Sequence, residues 1–172
     1  KREFISKSKK YKKKKLKTSI NFSGILDSLI INNKLYISVP RTIKGCQKLF
    51  IYVSHINNQT DNLNFKVLKE FDECNTKNIA GRMQPLKFGL NKGILISTGN
   101  RSGGKDYPGN YAQDNNSIFG KVLEINIENG DYKIFAKGFR NPQGLTEYKN
   151  NLIVSEHGPY GGDEINKLIL NE

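Results

Sequence analysis

Residues 155–166, "SEHGPYGGDEIN", put a histidine, three carboxylates and a Gly-Pro corner between two apolar runs. An ordinary turn needs one or two residues of this kind. Backbone carbonyls exposed at a Gly-Pro corner are hard oxygen ligands of the type calcium takes. On that reading Gly158 and Pro159 offer carbonyls, and Asp163 and Glu164 add carboxylates. The plainer alternative is a well-made turn, with Pro159 and the glycines setting dihedrals and Asp163 and Glu164 capping it or facing solvent. Upstream, "GFRNPQGL" at 138–145 supplies Arg140, a planar donor fork suited to carboxylates, and the amides of Asn141 and Gln143, which grip carbonyl oxygens. An anionic ligand with several carbonyls matches that set. An Arg-Asn-Pro turn with an internal salt bridge would use the same residues.

The elements that must hold these loops read as strands. "SLIINNKLYISVP" is two apolar runs, Leu29–Ile31 and Leu35–Val39, about an Asn-Asn turn, which is a hairpin signature. Further strand-like runs follow at 48–56, 64–71, 93–97, 117–127, 132–138, 150–156 and 164–170, with an Asn129-Gly130 turn between the fourth and fifth of these. No stretch carries a capped 3.6-residue apolar period, so the expected class is all-β. Sandwich, barrel and propeller stay open at this level. Two connections are long and irregular: 75–86, and the glycine-rich 99–116.

Bulk properties narrow the function. The chain carries a net charge of +12 over 172 residues, but residues 1–17 hold ten Lys or Arg against Glu3 alone. Residues 1–20 are therefore expected to form a basic, solvated tail that touches polyanions or anionic lipid non-specifically, and 21–172 the folded domain. The domain itself is not basic enough for specific nucleic-acid recognition. No apolar run is long enough to span a membrane, and no signal peptide is present in this chain. An anchor upstream of Lys1 would make the tail juxtamembrane. Cys46 and Cys74 match no metal spacing; they make one disulfide in an oxidising compartment or two thiols elsewhere. His55 sits in or beside a strand and reads as a surface residue.

Taken together, 138–166 ("GFRNPQGLTEYKNNLIVSEHGPYGGDEIN") closely resembles the signature of the soluble glucose/sorbosone dehydrogenase family, which includes aldose sugar dehydrogenases. In that family Arg-Asn-Pro-Gln-Gly-Leu precedes a strand and then Glu-His-Gly-Pro-x-Gly-Gly-Asp-Glu-hydrophobic-Asn. "AGRMQPLKFGLNKGILISTGN" at 80–100 resembles the family's Gly-Gly-Arg…Ser-Thr-Gly-Asp stretch, and "AQDNNSIFGKVLEIN" at 112–126 its Ala-Gln-Asp…Leu-Gly-Lys stretch. These motifs span about 75–170.

The resemblance implies a six-bladed β-propeller carrying pyrroloquinoline quinone (PQQ) over calcium and oxidising an aldose at C1, in a periplasmic or extracellular setting. By the same resemblance Arg140 and Asn141 bind the quinone, with Gln143 beside them. The Gly158 and Pro159 carbonyls hold its calcium, and Glu164 belongs to a second calcium site. The sequence departs from the pattern at two catalytic positions. The family's base histidine falls on Asn78 and its orienting acid on Asn100, and asparagine cannot serve as a base. A closed six-bladed ring also needs far more than 172 residues; two to three blades are expected. The expectation is a sugar-dehydrogenase-like domain, incomplete or inactive as it stands, with a non-catalytic propeller binding a carbohydrate or protein as the alternative.

Overall fold

Asn32 and Asn33 take the left-handed backbone, φ 48° and 59°, that a two-residue hairpin turn between right-twisted strands requires. The computed structural model describes residues 15–57, 61–75, 79–86, 93–100, 111–149 and 151–169. In chain order its strands are β1 (Lys17–Thr18), β2 (Asp27–Ile31), β3 (Lys34–Ile43), β4 (Cys46–His55), β5 (Asn62–Leu63), β6 (Lys66–Glu70), β7 (Ala80–Leu86), β8 (Gly93–Thr98), β9 (Lys121–Asn126), β10 (Tyr132–Lys137), β11 (Pro142–Tyr148), β12 (Asn151–Glu156) and β13 (Glu164–Ile169). One 3-10 turn, Pro159–Gly161, interrupts the last connection.

The strands form antiparallel sheets in sequence order: β2-β3-β4-β6, then β7-β8-β9-β10, then β11-β12-β13, with β1-β5 a short parallel pair. The leading strands β2, β7 and β11 pack one against the next. Meandering sheets joined along their first strands are the blades of a propeller. The expected all-β class, as part of a propeller of two to three blades, is what the chain adopts.

Burial explains the spacing of the apolar residues. Ile94 and Ile96 of β8 join Tyr36, Leu49 and Ile51 in a core between the first two sheets. The alternate residue Leu95 joins Val122, Leu152 and Val154 between the second and third. The second sheet is thus covered on both faces, and so "GILIS" reads as one continuous apolar run. The far face of the first sheet carries Ile37, Val39, Phe50 and Tyr52, closed over by Leu63, Phe65, Ile20 and Phe22.

Three expectations are corrected. The connection at 75–86 contains a full strand, β7, and the Arg-Asn-Pro motif runs directly into another, β11. Both contain proline and glycine, and both carry a bulge, between Ala80 and Met83 and between Pro142 and Gly144, which masks the period of two. Residues 117–120 lie outside any strand, with Phe119 and Gly120 in a turn, so β9 begins at Lys121. His55 ends β4 at the surface. Cys46 and Cys74 form a disulfide, beside a bridge between Gln47 and Asn75. Among the described residues no helix is long and apolar enough to cross a membrane. Residues 1–14 and Asn78 lie outside the described residues.

Candidate functional site

Glu156 is the last residue of β12 and shares its inward parity with Leu152 and Val154. A carboxylate in that position must be satisfied internally or pay a large desolvation cost. Its Oε2 accepts the backbone N–H of Arg140 over 2.6 Å and that of Asn141 over 3.4 Å, and its Oε1 accepts the Asn166 amide over 2.8 Å. The two loops read from sequence as separate ligand groups are therefore one structure. The His157 N–H also donates to the Asn141 carbonyl over 3.1 Å, and Arg140 Nη1 to the His157 carbonyl over 2.8 Å.

The Gly-Pro corner is closed from within. Asp163 Oδ1 accepts the Gly158 N–H over 3.0 Å, and Oδ2 meets His157 Nδ1 at 3.2 Å. These contacts, the His157 ring first and then the Gly158 amide, hold the exposed Asp163 carboxyl below its ordinary pKa. A Cβ on Gly158 would fall 1.6 Å from the Gly162 carbonyl oxygen, so the chain folds back on itself where only glycine fits. Tyr160 stands fully exposed at the tip with φ 53°. Glu164 opens β13 opposite Glu156 and accepts a 3.3 Å hydrogen bond from Asn166. His157, Asp163, Glu164 and Gln143 line one cleft of about 270 Å³.

A third strand end joins the group. The Asn100 N–H, just past β8, donates to the Arg140 carbonyl over 2.6 Å. Its side-chain Oδ1 is buried and has no hydrogen-bond partner among the described residues. Gln143 donates its amide to Asn141 Oδ1 over 2.7 Å. Arg140, Asn141, Gln143, Gly158, Asp163, Glu164 and Asn100 are thus brought together. Among the described residues no three His, Cys, Asp or Glu side chains cluster as a metal site. The donor chemistry nevertheless fits a multi-carboxylate quinone on its anchoring side: a guanidinium, two amides and a backbone-lined Gly-Pro corner.

Several residues that set this geometry went unread in the sequence. Arg82 on β7 reaches both neighbouring sheets, donating from Nε to the Gln143 carbonyl over 2.7 Å and from Nη1 to the Leu26 carbonyl over 3.4 Å, with Asp27 at 3.8 Å. Ser97 Oγ takes the Arg82 N–H over 3.1 Å and donates to the Pro142 carbonyl over 3.0 Å. Strand parity was the available signal for Glu156 and Asn166, because Glu156 shares the face of buried Leu152 and Val154 and Asn166 that of half-buried Leu168. Arg82 falls in the Gly-Gly-Arg resemblance, but nothing local shows that its partners lie on neighbouring sheets.

Comparison with known proteins agrees with this architecture. The family model described as Glucose / Sorbosone dehydrogenase matches residues 28–170, starting well upstream of the motifs at 75–170. Aldose sugar dehydrogenase YliI of Escherichia coli (strain K12) is 40% identical over 70 residues, covering 32% of this chain and 19% of that protein. The matched stretch is thus about a fifth of that relative's length.

Proposed function

The chain belongs to the glucose/sorbosone dehydrogenase family, and on that premise we propose that it carries the cofactor-anchoring side of a quinone- and calcium-dependent sugar-oxidising site. One observation carries the reading: Arg140 and Asn141 are held by Glu156 and His157 against the closed Gly-Pro corner. Bound there, PQQ over calcium would supply the hydride acceptor for oxidation of an aldose at C1. Arg140 pairs with a cofactor carboxylate, and the amides of Asn141 and Gln143 orient its carbonyl oxygens. The carbonyls of Gly158 and Pro159 take calcium, while Asp163 keeps the corner closed. Glu164 contributes to a second calcium site.

Asn78 and Asn100 stand where the family pattern has base and acid. The chain as it stands therefore binds without turning over. That favours the second reading, a propeller that holds a carbohydrate in the same pocket without oxidising it. The Cys46–Cys74 disulfide supports a periplasmic or extracellular setting. The basic segment 1–17 adds non-specific attraction for polyanions or anionic lipid, steeply dependent on salt.

The test is calorimetric titration of PQQ, with and without calcium, into the longest form of the protein that can be expressed, with Arg140→Ala alongside. Calcium-dependent binding lost in the variant is expected. A folded protein that takes up no quinone would end the cofactor reading and leave the carbohydrate pocket as the surviving one.

A further inference from the structure

Glu156 is 8% exposed, and its carboxylate receives three donors on two oxygens. Two of the three are consecutive backbone N–H groups, those of Arg140 and Asn141. Drawing both amides inward onto one carboxylate fixes the peptide planes of the corner. The Arg140 residue itself remains at the surface. Its guanidinium is steadied by the His157 carbonyl, and the Asn141 side chain by Gln143.

Asn166 holds the carboxylate from the other side. It lies two residues inside Glu164 on the same face of β13, opposite Val154, and its Nδ2 donates to both Glu156 and Glu164. The residue types are specific to this arrangement. A glutamine at 156 would turn one N–H donor toward another. An aspartate at 166 would crowd three carboxylates together.

We infer that Glu156, braced by Asn166, is the positioning residue that presents Arg140 and Asn141 to an anionic ligand. The clamp is independent of any ligand; what it presents them to rests on the proposed cofactor site. Glu156 touches neither cofactor nor substrate and acts through the backbone of the corner it grips. The anchor is thus set before a ligand arrives, which lowers the ordering cost of binding.

Two measurements on the full chain separate the clamp from the functional reading. Amide hydrogen exchange followed by NMR reads the clamp directly. In the unaltered protein the Arg140 amide is expected to be protected and shifted downfield by its short bond to a carboxylate. In Glu156→Gln its exchange should quicken about tenfold to a hundredfold, the range for losing a hydrogen bond to a charged group. The reversed pair, E156Q with N166D, should recover part of that protection because donor again faces acceptor. An Arg140 amide that exchanges freely in the unaltered protein overturns the clamp whether or not the variants fold.

The second measurement is affinity for PQQ with calcium, which should fall with the loss of protection and recover with the reversed pair. Lost protection with unchanged affinity overturns the positioning role. Protection as expected with no quinone binding in any form sinks the cofactor reading, and the positioning role with it, while the clamp remains as structure.

Discussion

The amide N–H of Asn100 donates to the carbonyl of Arg140 across 2.6 Å, tying the end of β8 to the corner that leads into β11. Position 100, to which the resemblance assigns an orienting acid, is therefore tied to the proposed cofactor anchor by a backbone hydrogen bond that does not depend on its side chain. The Oδ1 of Asn100 is buried and meets no donor among the described residues.

Restoring the side chains should restore chemistry. With PQQ and calcium supplied, Asn78→His combined with Asn100→Asp is expected to raise aldose-dependent dye reduction by about a hundredfold or more, the usual contribution of a general base. Asn100→Asp alone should leave the rate at background, because no base is present to orient. A double variant that binds the quinone and stays inert would show that more than these two positions separates this chain from a sugar oxidase.

Gly158→Ala tests the closed corner. Its methyl group would sit 1.6 Å from the Gly162 carbonyl oxygen, and backbone cannot yield that distance without opening the loop. Residues 160–163 of this loop are exposed, so the global unfolding midpoint should move little. Calcium-dependent quinone binding should vanish. Binding retained at the original affinity would mean the 158–162 loop is not the calcium seat.

Ala80 occupies a left-handed backbone at φ 60°, where the resembling motif has glycine. Left-handed backbone costs a non-glycine residue about 1–2 kcal/mol, of which glycine's greater unfolded freedom returns about half. Ala80→Gly is therefore expected to stabilise the chain by about 0.5–1 kcal/mol in urea unfolding, without altering ligand binding. A destabilised variant would show that the Ala80 methyl packs better than its dihedral suggests.

How much of this was legible in sequence depended on what each residue answers to. The hairpin at Asn32-Asn33 was readable because turn chemistry is local, and β8 because burial on both faces leaves an unbroken apolar run. β7 and β11 were not, since proline, glycine and bulges erase the alternation while neighbouring sheets supply the pairing. In the site, Arg140 and the Gly-Pro corner were visible as donor and acceptor chemistry. The clamp between them joins residues sixteen apart through one buried carboxylate, and only the fold brings those together. Arg82 is further still from local reading, because its partners lie on two other sheets.

The Cys46–Cys74 bridge closes a loop across 28 residues, fastening the start of β4 to the segment that follows β6. Loop-closure entropy for that span is worth about 3–4 kcal/mol. Reductant, or Cys46→Ser with Cys74→Ser, should lower the urea midpoint by the corresponding amount. An unchanged midpoint would mean the thiols are unpaired in the folded protein.

Lys121 gives the clearest dependence on pH. Its ammonium is buried, donating to the carbonyls of Tyr111 and Phe119 over 2.7 Å and of Ala112 over 3.1 Å. Burial pushes its pKa down, against the opposing pull of Asp114 and Glu73 and with Lys137 adding to the depression. Below its ordinary value of 10.5 the unfolded chain then holds a proton that the folded chain releases, so stability rises with pH through that window. Burial acts oppositely on Tyr36, raising its pKa above 10.0, so the folded chain keeps that proton longer and stability falls as pH climbs past 10.0. Thermal midpoints between neutral and strongly alkaline pH should therefore climb, then turn over. Lys121→Met leaves the carbonyls without their donor and should cost about 3 kcal/mol at neutral pH. It should also remove the climb while leaving the alkaline fall. A climb that survives in the variant would assign it to another group.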